Sequence, residues 1–201
     1  MKAQPTTSLR TKTVVSGFAG MTADAFAHLG ADDAGVRSSA LGSLARNGEL
    51  SSDQLIAGLI DSSPIVARRA WSILAYTPSL LDDDTVLGLL DSLPDDVLEV
   101  ACFSLGERPP SDALASALVH AAQHADALVR ESAVAALGSL GHQIGLEAVL
   151  RGCRDIAQVR RRAVIALAAF EGPEVETMMA ELVEDRDWQV RDIAVELQAI
   201  V

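Results

Sequence analysis

One phrase recurs along this sequence at an interval suited to a stacked array of helix pairs. Valine stands at Val36, Val66, Val97, Val129, Val159 and Val190, at intervals of 30, 31, 32, 30 and 31 residues. Four residues after each comes an alanine: Ala40, Ala70, Ala101, Ala133, Ala163 and Ala194. After four more, the first five copies carry Leu44, Leu74, Leu105, Leu137 and Leu167. This i, i+4, i+8 spacing lays one apolar stripe along a helix. A repeat of this length holds two short helices and their turns. It cannot bury its apolar face alone, so copies must stack and seal one another. The alanine keeps the stripe low enough for a neighbouring helix to come close. In the sixth copy Gln198 replaces the leucine, with Leu197 beside it, as expected of a terminal repeat.

The fullest copy runs from Asp126 to Gly141, DALVRESAVAALGSLG. Asp126 is placed to cap the free N–H groups of a helix, and Gly141 to end it. The pattern D-x-x-V-R-x-x-A-x-x-x-L is intact from Asp126 to Leu137 and nearly so from Asp33 to Leu44 and from Asp187 to Ala194. It resembles the HEAT-repeat family, in particular the short HEAT-like repeats of the phycobilisome-lyase type, over roughly residues 20 to 201. The family's arginine after the valine is matched by Arg37, Arg130, Arg160 and Arg191 and replaced by Ala67 and Leu98. These arginines are expected to bridge to capping acids of adjoining repeats as a ladder. The expected fold is all-α, an α-solenoid of about six HEAT-like helix pairs. Residues 21–201 form its single domain and residues 1–20 a flexible N-terminal tail.

Local signals set the expected elements. In the tail, Val14, Val15 and Phe18 are expected to cover the first repeat. The first pair is read at 22–29 and 34–46, ended by Asn47 and Gly48. Ser51 or Ser52 opens the next outer helix, with Leu55, Ile56, Leu59 and Ile60 as its buried face, and Ser63-Pro64 opens the inner one. Asp82, Asp83 and Asp84 lack the alternating ligands, central glycine and distal glutamate of an EF-hand loop, so they read as helix caps. Pro109-Pro110 is the clearest break, the fifth pair is read at 143–152 and 156–170, and Gly172-Pro173 opens the sixth. The apolar end, Leu197, Ile200 and Val201, reads as a homo-oligomerisation edge or as the cut end of a longer array.

Composition narrows the classes of function. The 28 acidic and 16 basic residues give a net charge of −12, which disfavours nucleic acid, whose affinity comes from clustered Lys and Arg. No apolar run reaches the ~18–20 residues of a membrane span. Cys102 and Cys153 form neither a CxxC motif nor a disulfide framework and are expected as buried thiols in a reducing, cytoplasmic compartment. The Ala- and Arg-rich, Lys-poor composition points to a bacterial source. Deoxyhypusine hydroxylases, a HEAT-like enzyme family, are marked by His-Glu dipeptides that ligate iron. His28, His120, His124 and His142 are followed by Leu29, Ala121, Ala125 and Gln143, so none matches. His120 and His124 share i, i+4 spacing but no H-E-x-x-H arrangement, and read as a solvated helix end. HEAT-like alkylpurine DNA glycosylases use a basic, aromatic concave surface, which this acidic chain with 3% aromatic residues does not match. No catalytic residue, metal ligand or cofactor-binding motif is assigned.

In HEAT-like stacks the second helix of each pair lines the concave side. Positions two, three and six after each valine then face the groove: Ser38, Ser39, Gly42; Arg68, Arg69, Ser72; Glu99, Val100, Phe103; Glu131, Ser132, Ala135; Arg161, Arg162, Ile165; Asp192, Ile193, Glu196. Among these, Arg68, Arg69, Phe103, Glu131, Arg161 and Arg162 are the candidate partner-binding residues. Arginine pairs can clamp a carboxylate or phosphate, and an exposed aromatic can anchor a partner. They can equally pair with nearby Asp and Glu and solvate the face. The expected function is a non-enzymatic protein-protein interaction module or scaffold that binds an acidic or phosphorylated segment in its groove. The alternatives are a bilin/chromophore lyase or lyase subunit, implied by the resemblance, and an oligomerising structural subunit with no groove ligand.

Overall fold

The structure, a computed structural model, describes residues 6–199, with side chains from residue 9 onward. Among these residues there are thirteen α-helices, four single 3-10 turns and no strand. A leading helix α1 (Thr6–Phe18) precedes six pairs: α2 (Ala23–His28) with α3 (Ala34–Arg46), α4 (Ser52–Leu59) with α5 (Pro64–Tyr76), α6 (Asp83–Leu87) with α7 (Asp95–Gly106), α8 (Asp112–Ala121) with α9 (Ala127–Leu140), α10 (Leu146–Gly152) with α11 (Ala157–Ala166), and α12 (Pro173–Leu182) with α13 (Trp188–Gln198). The fold class is that of an α-solenoid. The chain gathers into two compact units, one ending at Asp82 and one beginning at Asp83. The division falls inside the run Asp82, Asp83 and Asp84.

The repeat stripe is the core in both units. Every repeat valine and every repeat alanine is at most 1% exposed, as are Leu44, Leu74, Leu105, Leu137 and Leu167. Small residues set the helix spacing within a pair. A Cβ added to Gly58 of α4 would meet the Ala70 methyl of α5 at 3.1 Å, and one added to Gly152 of α10 would meet that of Ala163 in α11 at 3.2 Å. Between successive inner helices of the second unit the same device recurs, with Gly106 of α7 against Ala136 of α9 and Gly138 of α9 against Ala166 of α11.

The first unit differs at its start from the sequence expectation. Residues 6–18 form a helix where a flexible tail is expected, and α1 packs on α3. It does so through small and polar residues: Thr13, Ser16 and Gly17 are buried, Ser43 Oγ donates to the Thr13 carbonyl, and Asn47 Nδ2 donates to the Gly17 carbonyl. Of the apolar residues Val14 is half-buried and Val15 is 60% exposed, while Phe18, 68% exposed, meets α3 through the Arg46 guanidinium over its ring. Polar groups satisfied by backbone carbonyls can seal a helix contact as well as leucines, which an apolar-pattern reading misses. In the second pair Ser51 forms a full capping box with Gln54. Ser63 makes no side-chain cap; its amide donates to Asp61 Oδ1. Leu55 and Leu59 are buried, whereas Ile60 is exposed.

In the second unit Asp126 accepts from the Leu128 amide, and Gly141 ends α9 in the left-handed region at φ 58°. Asp83 opens α6 but mainly holds the next turn: Arg108 Nε donates to it at 2.8 Å and Ser111 Oγ at 3.3 Å. Leu197 of α13 is half-buried and Gln198 exposed. Ile200 and Val201, on which the oligomerisation edge partly rests, lie outside the described residues.

The arginines after the valines form a ladder between repeats, but onto aspartates one or two residues ahead of the helix caps and not onto capping acids. The Nη1 of each holds carbonyls of its own repeat's turn: Arg37 those of Ala31 and Asp32, Arg130 those of His124 and Ala125, Arg160 that of Asp155, and Arg191 that of Asp185. The Nε and Nη2 fork of the first three then reaches an aspartate in the turn of the following repeat, Arg37 to Asp61, Arg130 to Asp155 and Arg160 to Asp185, all at 2.8–3.0 Å. These bidentate pairs are partly or largely buried, with the side chains of Arg160 and Asp185 only 5% and 12% exposed. Removing one member of such a pair strands the other charge.

Two outcomes test this packing. Leu137→Ala empties a fully buried position and should lower unfolding free energy by about 2–5 kcal/mol in urea titration. The ladder also predicts a pH response. Hydrogen bonds from Arg37 and Arg130 hold the Asp61 and Asp155 carboxyls below the usual range. At Asp185 burial pushes upward, but the bonds from Arg160 and the Asp187 amide outweigh it. A lowered folded pKa contributes stability that is present above the unfolded value of about 3.9 and is lost as pH falls through the folded pKa. Arg130→Met should therefore flatten the fall in urea midpoint between about pH 5 and pH 2 relative to the unaltered chain.

Candidate functional site

In the second unit the structure gives the candidate arginines acidic partners. Arg161 of α11 forks onto Asp187, which caps α13, with Nε at 3.1 Å and Nη2 at 2.6 Å. Those bonds, with amide donors from α13, bring the Asp187 carboxyl down to about 2. Arg162 donates through Nε to Glu131 at 2.9 Å, and Gln158 donates to the other oxygen of that carboxylate. Phe103 of α7 and Ile165 of α11 are exposed. The two groove arginines of this unit are thus already matched by acids of the same unit.

The first unit is different. Arg68 is half-buried and already engaged. Arg69, one residue on, points across to α3, where its guanidinium lies over Gly42. A Cβ built there would stand 2.6 Å from Arg69 Nη2 and 3.0 Å from its Nε. Arg46 of α3 comes to the same glycine from the other side, its Nη1 donating to the Gly42 carbonyl at 3.1 Å. Its guanidinium also stands 4.0 Å above the Phe18 ring, a cation–π contact. Two stripes build this place: Ser39, Gly42 and Arg46 along α3, and Arg69, Ser72 and Tyr76 along α5, both at i, i+3, i+7 spacing. Gly42, Ala45, Arg46, Arg69, Ser72, Ile73, Tyr76 and Thr77 line a recess of about 380 Å³. Tyr76 stands 78% exposed at its rim.

Among the described residues no carboxylate pairs with Arg46 or Arg69. Elsewhere Arg37, Arg108, Arg130, Arg151, Arg154, Arg160, Arg161 and Arg162 each meet one, whereas Arg10 bonds the Ser39 hydroxyl and Arg191 a backbone carbonyl. The hydroxyls of Ser72 and Thr77 donate to carbonyls of their own helix, those of Arg68 and Ile73. The open hydrogen-bonding capacity at the recess is therefore guanidinium N–H, which suits an anion. Sequence reasoning reaches Gly42, Arg69 and Ser72 but misses Arg46 and Tyr76. Extending the +3, +6 series by one step, to +10, finds both.

The other chemistry-bearing groups are tied into structure. His124 lies past the end of α8, not on one face with His120; its Nδ1 accepts from the Asp126 amide and its Nε2 is 3.8 Å from Asp95. His142 Nε2 lies 3.0 Å from Asp112. Thr13 Oγ1 and His28 Nδ1 are 2.8 Å apart. Among the described residues no three His, Cys, Asp or Glu side chains gather as metal ligands. No helix there is long and apolar enough to cross a membrane. Both cysteines are buried, and burial pushes each thiol up to about 12.

Comparison with known proteins places this geometry. Residues 83–156 match the family described as HEAT repeats. No curated protein matches the sequence. Among solved structures, an engineered protein shares 18% identity over 89% of this chain and 95% of its own, with a TM-score of 0.63. The E. coli protein YibA shares 17% over 99% of this chain and 76% of its own, with a TM-score of 0.64. A designed armadillo repeat protein, solved in complex with the peptide (KR)4, shares 15% over 96% and 97%, with a TM-score of 0.60. At these identities the likeness concerns the fold.

The burial of Cys102 and Cys153 gives a direct outcome. An aromatic disulfide reagent at pH 8 should modify neither thiol in the folded chain and both in denaturant, because the thiolate is the reacting form. Fast release of colour from the folded chain would contradict this.

Proposed function

We propose that this chain, which carries HEAT repeats over residues 83–156, is a non-enzymatic interaction module that holds an acidic or phosphorylated protein segment against its inner helices. The observation that carries the reading is the pair Arg46 and Arg69. In a chain with 28 acids, two neighbouring guanidiniums stand without a carboxylate beside one open recess. Adjacent like charges repel, and an anion brought between them relieves that repulsion. The fold supports the reading as well, since an armadillo-like neighbour is solved with a peptide, in that case the basic (KR)4.

Of the six residues singled out in the sequence, Arg69 belongs to this seat. Arg161, Arg162 and Glu131 have partners inside the second unit and contribute to its stability and surface charge. Phe103, exposed on α7, offers apolar contact within that unit.

The charge preference is testable by fluorescence anisotropy with two labelled peptides, an oligo-glutamate and (KR)4. The oligo-glutamate should bind, more weakly as salt rises. Arg46→Glu with Arg69→Glu should reduce its affinity at least about tenfold, the scale of losing two charge-assisted contacts. Arg162→Gln should leave it within about twofold, as expected for an exposed, internally paired charge. Preference for (KR)4, or an unchanged double variant, would overturn the reading.

A further inference from the structure

We infer that the recess over Gly42 selects a phosphorylated side chain over a carboxylate, and that Gly42 is the residue that sets this selectivity. The inference rests on the acidic-segment reading and specifies the anion. The Arg69 guanidinium lies where a Cβ of Gly42 would stand and Arg46 Nη1 donates to the Gly42 carbonyl, so two guanidiniums meet at one residue. A carboxylate can accept from both forks, but its one negative charge neutralises only one of the two guanidiniums. A phosphate monoester offers three terminal oxygens and a charge of about −1.5 to −2. It accepts from both forks and neutralises both charges. The positive charge of the pair therefore matches phosphate and exceeds what a carboxylate neutralises.

The surroundings favour a phosphate carried on a side chain. The floor includes Ala45 and Ile73, and the Tyr76 ring stands free at the rim. These surfaces can bury the carbon stem of a phosphorylated residue, while the guanidiniums take its head. Phe18 and the Gly42 carbonyl hold Arg46 in place before any ligand arrives, which reduces the ordering cost of binding.

Gly42 is a buried position inside α3, at a place where the helix needs no unusual backbone. Its value lies in what it lacks. A methyl there would first meet Arg69 Nη2, Nε and Cζ, the flexible end of a long side chain. Gly42→Ala thus displaces one fork, removes no charge, and replaces glycine in a helix interior by the best helix former. The fold should tolerate it or gain stability, while the convergence of the forks is lost.

The experiment uses three degenerate peptide libraries fixed at the centre with phosphoserine, glutamate or serine, passed over the immobilised full-length chain. Retention of the phosphoserine library should exceed that of the glutamate library at least about tenfold, one decade of affinity being the scale of an extra charge-assisted fork. Gly42→Ala should erase that preference while its thermal midpoint is equal to or above that of the unaltered chain. Equal retention of the glutamate and phosphoserine libraries, or a preference that survives Gly42→Ala, overturns this inference and leaves the acidic-segment reading standing. Retention no better than serine for both overturns the two together. Competition arms use inorganic phosphate and vesicles rich in anionic lipid. Partial competition by millimolar phosphate is expected, and tighter binding to vesicles than to the phosphoserine library would overturn the assignment to a peptide.

Discussion

The structure depends on how closely one helix can approach the next. Six alanines at one register are fully buried, and glycines on neighbouring helices lie against them or against other small residues. With so little side-chain height at the contact, backbones come near and the flanking valines and leucines interlock around them. Dispersion and apolar burial over this seam supply the cohesion. The composition follows from this requirement: a core of Ala, Leu and Val with few aromatic residues is what short helices packed in rows can fill.

The arginine fork adds direction to that contact. One guanidinium closes its own turn by holding carbonyls and then grips an aspartate in the turn ahead, so each rung ties the geometry of one repeat to the position of the next. Lysine has three donors but no planar fork, so it could not grip the aspartate bidentately while holding the carbonyls. Repeats two and three carry Ala67 and Leu98 at this place, and these side chains supply no guanidinium. They stand on either side, along the sequence, of the Asp82/Asp83 division between the units. In the second unit Arg108 and Asp83 form a different link between a turn and a helix start.

Much of this was legible before the structure. The valine register located all six inner helices, because six copies of i, i+4 spacing, five of them extended to i+8, leave no other period. The ladder was legible in outline, although its acceptors are Asp61, Asp155 and Asp185 ahead of the cap positions and not the caps themselves. The first helix was missed because its packing face is Thr13, Ser16 and Gly17, which carries no apolar signal. At the candidate site, spacing alone placed Arg69, Arg161 and Arg162 alike on the inner stripes. Only geometry separated them: Asp187 and Glu131 come from other repeats at sequence distances of 26 and 31 residues, so no local reading could pair them. The convergence of Arg46 and Arg69 on Gly42, 27 residues before Arg69, is non-local in the same way.

The most direct measurement of the packing claim is the stability of Ala163→Leu. The Ala163 methyl lies against the Gly152 backbone of α10, with no room for three further carbons. Its urea midpoint should fall by an amount equivalent to about 1–3 kcal/mol or more, with circular dichroism still helical. A midpoint unchanged or raised would mean that the small-residue seam is not what brings these helices together, and the account would fail.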